Sequence, residues 1–153
     1  MDIVEIDPVD THDLRRHVLR HGTRSDAVVF DGDDQPTTFH LGIRTPDGHV
    51  VATSTWLARP YAAEPDRPAH QLRGMAIAPE QQGRGLGTRL LRAGLDMCAE
   101  RGSEVLWAHA RSTALGFYLR HGFTVCGDEY VDAATGLPHV DVAIALVRTP
   151  RPD

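Results

Sequence analysis

The stretch from Leu72 to Ala108 constrains this chain more than any other, because it runs without a break from buried strand to glycine loop to amphipathic helix to buried strand. Leu72–Ala78 is an apolar run interrupted by Gly74, a pattern that suits a β-bulge. Over 86–101, Leu86, Leu90, Ala93 and Met97 fall on one helical face, with Leu91, Leu95 and Cys98 beside them. Gly102 stops that helix, and Val105–Ala108 reads as a short buried strand. A helix with one apolar face between two buried strands calls for a sheet on which to lie.

The flanking segments extend that sheet. Asp2–Ile6 alternates polar and apolar residues and reads as a first strand ended by Asp7-Pro8. Asp10 or Thr11 is positioned to cap a helix reaching His21 and closed by Gly22. Residues 23–37 are polar and turn-rich and read as a loop. Phe39–Arg44 and His49–Leu57 flank Pro46-Asp47-Gly48, a hairpin signal. Arg59–Pro68 reads as irregular. Ser112 caps a second helix that ends at Gly122, and Phe123–Val131 and His139–Val147 read as the last strands. The order is β-α-β-β-β-α-β-α-β-β, an α/β (mixed α+β) class with helices on the faces of a mixed sheet. At 153 residues, a single domain over 1–153 is expected.

The loop itself, Gln82-Gly83-Arg84-Gly85-Leu86-Gly87-Thr88, carries the chemistry. Glycines let backbone N–H groups approach a ligand closely, and a helix N-terminus adds partial positive charge, so the segment suits phosphate. Arg84 and Arg89 in or beside the first turn run against the helix dipole by roughly 0.3–1 kcal/mol each. A bound anion would reverse that sign; solvation would make it tolerable. Spacing excludes two rival loops. A P-loop needs a lysine, and all sixteen basic residues here are arginine. The dinucleotide fingerprint needs G-x-G-x-x-G, whereas these glycines run G-x-G-x-G.

Charge and composition remove other classes. A net charge of −5 gives no overall field that would draw nucleic acid or an anionic membrane. Two cysteines, Cys98 and Cys126, are too few for a disulfide framework and read as small buried hydrophobes. The first residues show neither the basic nor the apolar region of a signal peptide, and no apolar run approaches a membrane span, so a cytoplasmic protein is expected. His17 and His21 have i,i+4 spacing but no third ligand, so no metal site is expected. The cluster Asp31-Gly32-Asp33-Asp34 reads as a solvated turn, with attraction of a cationic amine as the alternative.

Gln82-Gly83-Arg84-Gly85-Leu86-Gly87 resembles the Q/R-x-x-G-x-G/A acetyl-CoA signature of the GNAT superfamily. Trp107-Ala108-His109-Ala110-Arg111, Ala114, Phe117-Tyr118 and Gly122-Phe123 resemble that family's second landmark, a strand followed by a helix bearing Phe-Tyr and ending Gly-Phe. The resemblance covers the chain well from Leu72 onward and the first seventy residues in layout alone. His40-Leu41-Gly42 and Pro138-His139 are similar to a bacterial branch whose acceptors are largely undefined. That branch often has Gly-Pro-His where this chain has Gly136-Leu137-Pro138-His139.

The resemblance implies the GNAT acyl-CoA N-acyltransferase fold, a central, mostly antiparallel mixed sheet with helices on both faces. It also implies acetyl transfer from acetyl-CoA to a primary amine of a small molecule or peptide, by direct attack in a ternary complex. Pantetheine would run along Met75, Ala76 and Ile77, and the pyrophosphate would meet the amides from Gly83 to Thr88, with Gln82, Arg84, Leu86 and Gly87 in the same cradle. Ala114 and Phe117 would border the thiol arm. Tyr118 would be the general acid for the departing thiolate; a core aromatic role is its alternative. His139 is the tentative base, sharing a strand face with Asp141, and His109, Glu129 and His40 are others. A non-catalytic acyl-CoA-binding or sensing domain is the competing function. Edge strands in this fold often pair, so a homodimer is one arrangement open to the chain.

Overall fold

The computed structural model describes residues 1–147. Seven strands form one sheet: β1 (Ile3–Ile6), β2 (Phe39–Arg44), β3 (Val50–Ala58), β4 (Ala69–Ile77), β5 (Val105–Arg111), β6 (Thr124–Val131) and β7 (Pro138–Ala145). Their spatial order is β1-β2-β3-β4-β5-β7-β6, antiparallel throughout except where β4 meets β5. The long helix α2 (Leu86–Glu100) makes the crossover that a parallel pair requires. The element order and the mostly antiparallel mixed sheet agree with the expectation from sequence.

Helix α2 packs its apolar stripe across β1–β4. Leu90, Leu91 and Cys98 are fully buried there, beside Trp56, Leu72 and Leu41. A buried leucine contributes roughly 1.5–3 kcal/mol, so this face anchors the fold. Gly94 lets the helix lie flat on Trp56, since a Cβ at that position would sit 1.9 Å from the indole Cζ2. Strand alternation sends Phe39, Leu41 and Ile43 toward this helix and His40 and Thr55 to the opposite face.

The first helical segment differs from expectation. Asp7, read as a strand terminator, is its N-cap; Pro8 follows at the first helical position, and Asp10 Oδ2 accepts the Asp7 N–H at 3.3 Å. The segment consists of a 3-10 turn (Pro8–Thr11), an α-turn α1 (His12–Leu14) and a π-turn (Arg15–Leu19), and ends before His21. Its inward face holds Arg15, which is completely buried. That guanidinium forms a two-point ion pair with Asp33 (2.6 and 3.0 Å) and donates to Thr55 Oγ1 and the Val28 carbonyl, both at 2.8 Å. Asp33 is therefore no solvated turn residue: it is 4% exposed and also accepts the Phe30 N–H. His40 closes the same network through Thr55 and the Asp33 carbonyl, which removes it from the candidate bases.

Ser112 does not cap the second helix. Its hydroxyl donates to Glu129 (2.7 Å), a 3-10 turn covers Ser112–Ala114, and α3 spans Leu115–Arg120.

Candidate functional site

The parallel joint between β4 and β5 is short. Only Ala69, His70 and Gln71 pair, with Val105, Leu106 and Trp107, although β4 continues to Ile77 and β5 to Arg111. Beyond Gln71 the two strands part, leaving a wedge in the middle of the sheet. The bulge read from Gly74 lies on the β4 side of it. Thr53 faces Ala76 but Thr55 faces Arg73, so β4 carries an extra residue, and Gly74 takes φ +65°. A side chain there would also crowd Phe30 and Arg15, at 3.2 and 3.3 Å.

The ladder shows which β4 groups are free. Ala78 N–H donates to the Val51 carbonyl, so by alternation Ala76 also bonds to β3 while Ile77 turns its N–H and carbonyl toward the wedge. The Ile77 carbonyl accepts from Gln82 Nε2 at 3.2 Å, which ties the glycine loop to the end of β4. Ala76 points into the core and is 2% exposed. Met75 lines the cavity inside the wedge.

In the loop, Gly83 and Gly85 have φ of +80° and +79°, and added Cβ atoms would touch nothing. Glycine is needed there for backbone conformation, not for space. Gly85 is the N-cap of α2, no side chain caps the helix, and its first turn contains no acidic residue. The first intrahelical bond is Arg89 N–H to Gly85 O, so the amides of Leu86, Gly87 and Thr88 lack helical acceptors. Arg84 is exposed and makes no ion pair among the described residues. Arg89 instead donates to the Met1 carbonyl at 2.6 Å.

The loop is also tied to α3. Thr88 donates to His121 Nε2 (3.1 Å), and His121 Nδ1–H donates to the Phe117 carbonyl (2.8 Å); the carbonyl's acceptor role fixes this tautomer. Phe117 does not line the cavity. Its ring lies between Gly87 and His121 and packs the two helices together. One residue on, Tyr118 is 7% exposed and reaches the cavity, with Ala114 beside it. Burial pushes its phenol up to about 12, with no hydrogen bond contributing, so the hydroxyl stays protonated and free to donate.

The cavity measures about 300 Å³ and opens through the wedge onto the sheet face opposite α2. His109, Arg111 and His139 line it from β5 and β7, and Gln71 and Arg73 from β4. Arg20, Phe30, Arg59, Asp132 and Thr135 close it from the surrounding loops. His109 Nδ1–H donates to Asp141 Oδ1 at 2.6 Å, and the Tyr130 hydroxyl donates to the same oxygen at 2.6 Å. That leaves His109 Nε2 as the ring's lone-pair nitrogen, held by a carboxylate behind it. His139 lies on the same sheet face, 8% exposed; its Nδ1–H donates to the Leu137 carbonyl (3.0 Å) and its ring stacks on Tyr130. Glu129 is exposed, bonded to Ser112 and outside the lining.

The structure thus brings Met75, Ala114, Tyr118, His109 and His139 to one cavity, with the glycine loop bordering the wedge. The Ala76 side chain packs into the core, and that of Phe117 lies against Gly87 of the loop, outside the cavity lining. Sequence reasoning missed Arg20, Arg73 and Arg111 as site residues. Alternation put Arg111 on the face of His109, but nothing local brought Arg20 to either.

Residues 8–123 match the model of the acetyltransferase (GNAT) family. The chain is 23% identical over 151 residues, 99% of its length and 97% of the relative's, to the uncharacterized N-acetyltransferase YitI of Bacillus subtilis (strain 168). An aminoglycoside 6'-N-acetyltransferase complexed with coenzyme A has a similar fold, with TM-score 0.75 and 16% identity over all of both chains. So does the ribosomal-protein-alanine N-acetyltransferase of Brucella melitensis, with TM-score 0.74 and 17% identity over 95% of this chain and 100% of that one. Among the described residues, no cluster of three metal-ligating side chains occurs and no helix is long and apolar enough to cross a membrane.

Proposed function

The chain belongs to the GNAT acetyltransferase family and is an N-acetyltransferase, and on that premise we propose that acetyl-CoA lies in the β4–β5 wedge and passes its acetyl group directly to an amine in the cavity. The observation that carries this reading is the wedge. Backbone amides with no acceptor stand beside it at the glycine loop, and a buried, protonated tyrosine stands within it.

Each residue then has a task. The amides of residues 83–88 receive the pyrophosphate, stabilised by the α2 dipole and by Arg84. Ile77 offers its N–H to the pantetheine arm, and the bulge at Gly74 and Met75 shapes the space around the thioester. Ala114 leaves room beside the sulfur. Tyr118 gives its proton to the departing thiolate as the tetrahedral adduct collapses.

Attack requires a neutral amine, and an ordinary alkylammonium loses its proton near pH 10. His109 supports this step better than His139, because the Asp141 hydrogen bond orients its ring and leaves Nε2 as the acceptor. His139, without a carboxylate hydrogen bond, walls the acceptor side. Gly85→Asp places bulk and negative charge in the cradle, so titration calorimetry should show acetyl-CoA binding lost. Unchanged affinity would sink the assignment of the loop.

A further inference from the structure

The acceptor side of the cavity is built from arginine. Arg20, Arg59, Arg73 and Arg111 all line it, against Asp132 as the sole carboxylate among the described lining residues. Arg59 has partners, Asp31 at 3.4 Å and Gln71 Oε1 at 2.9 Å. Among the described residues the other three meet only backbone oxygens: Arg20 donates to Ala27, Arg73 to Asp31 at 3.4 Å, and Arg111 to Leu19. Asp132 accepts the Thr135 N–H (2.9 Å) and hydroxyl (2.8 Å) on Oδ2, and its single charge offsets part of the field at Arg20 and Arg111.

Two of these guanidiniums, with that of Arg15, crowd one ring. The carbons of Arg15, Arg73 and Arg20 stand 3.9, 4.6 and 4.8 Å from the Phe30 centroid. Arg15 is neutralised by Asp33; among the described residues Arg20 and Arg73 form no ion pair. Burial first, and then the fields of Arg59 and Arg15, hold Arg73 below the ordinary arginine value, and burial lowers Arg20 and Arg111 as well. Like charges withdrawn from water beside one another are costly unless an anion joins them.

We propose that the acceptor is a small amine that also carries a carboxylate or phosphate, held by Arg20, Arg73 and Arg111 with its amino group toward the thioester. This rests on the transfer reading above and narrows it. A cavity of about 300 Å³ is at the lower end for ligand sites and suits a molecule of amino-acid size. The same field repels polycations, so polyamines and aminoglycosides are poor acceptors for this chain despite its likeness in fold to an aminoglycoside acetyltransferase.

The test uses acceptors of different charge, the amino acids and their carboxamides being matched in size and compared per mole of neutral amine. Release of coenzyme A thiol is measured with α-amino acids, their carboxamides, aminomethylphosphonate, spermidine and an aminoglycoside. Acids should exceed their carboxamides in kcat/KM by about tenfold to a hundredfold, the span of hydrogen bonds to a charged group. The amino acids and aminomethylphosphonate separate carboxylate from phosphate recognition. Arg73→Gln and Arg111→Gln should each erase most of the preference while acetyl-CoA affinity, read by calorimetry, stays unchanged. Carboxamides or polycations turned over as well as the acids would overturn the proposal.

If no amine is acetylated, calorimetry of N-acetyl amino acids against their carboxamides, on protein loaded with coenzyme A, decides. Selective binding of the acids keeps the anion site and removes the transfer reading. Equal binding, or none, removes the anion site.

Discussion

The two sides of the wedge are made of different material. On the side proposed for the coenzyme the groups free to meet a ligand are backbone amides, set by two positive-φ glycines and one helix start within a few consecutive residues. On the acceptor side they are side chains from the first helical segment, the 20–37 loop, three strands and the β6–β7 connection. A backbone site is built locally and tolerates change in almost everything around it. A side-chain site depends on the whole fold to bring its parts together, and can therefore be retuned for a new acceptor while the donor side stays the same.

The sharpest way to break this contrast is to remove the scaffold of the acceptor side. Asp33→Asn leaves Arg15 buried without its counter-charge and should cost about 3–5 kcal/mol in urea unfolding. Burial is the largest influence on Asp33 and raises its pKa, but hydrogen bonds from Arg15 and the Phe30 amide outweigh it, so the net shift is downward. A depressed carboxyl contributes stability above its unfolded pKa, near 4, and loses it as pH falls through the lower folded value. The wild type should therefore weaken in acid below about pH 4, and the Asn variant should show a flatter profile. A cost under 1 kcal/mol would mean that the acceptor side does not hang on this pair.

Tyr118→Phe, at the boundary of the two sides, should lower kcat about a hundredfold and leave acetyl-CoA affinity intact. Because burial lifts the phenol to about 12, the wild-type rate should not fall between pH 8 and 10 through loss of this proton. An unchanged kcat in the variant would return Tyr118 to the role of a core aromatic.

The smallest effect is expected in the loop. Gly83→Ala adds a Cβ that touches nothing, so the cost is conformational alone, about 1–2 kcal/mol, or roughly tenfold in acetyl-CoA affinity. Acceptor KM should not move. If it does, the two sides are coupled more tightly than their construction implies.

The same contrast decides what could be read in the sequence. Helix Leu86–Glu100, the hairpin of β2 and β3 and the glycine cradle are stated by nearest neighbours, through period, turn residues and conformational demand. Ser112 and the first helical cap went astray because several polar residues near a helix start could each cap it. Arg15 carries the strongest charge-bearing side chain in the alphabet, and periodicity assigns such a residue to solvent. It is buried because Asp33, eighteen positions away, meets it. His109 and Asp141 become a pair only through the register of β5 against β7. The arginines at 20, 73 and 111 share no local pattern at all.

The short β4–β5 joint has a last consequence. The ladder that joins the β1–β4 half of the sheet to the β5–β7–β6 half is three residue pairs long, extended at one end by the Glu104 and Val105 amides bonding to the Pro68 carbonyl, and beyond Gln71 the Ile77 amide faces the wedge. A pantetheine arm placed there, as proposed, would supply a strand at that edge. On the proposed placement the coenzyme would be a structural member as well as a reactant: loading it would complete the sheet, and releasing it would reopen a seam through the middle of the protein.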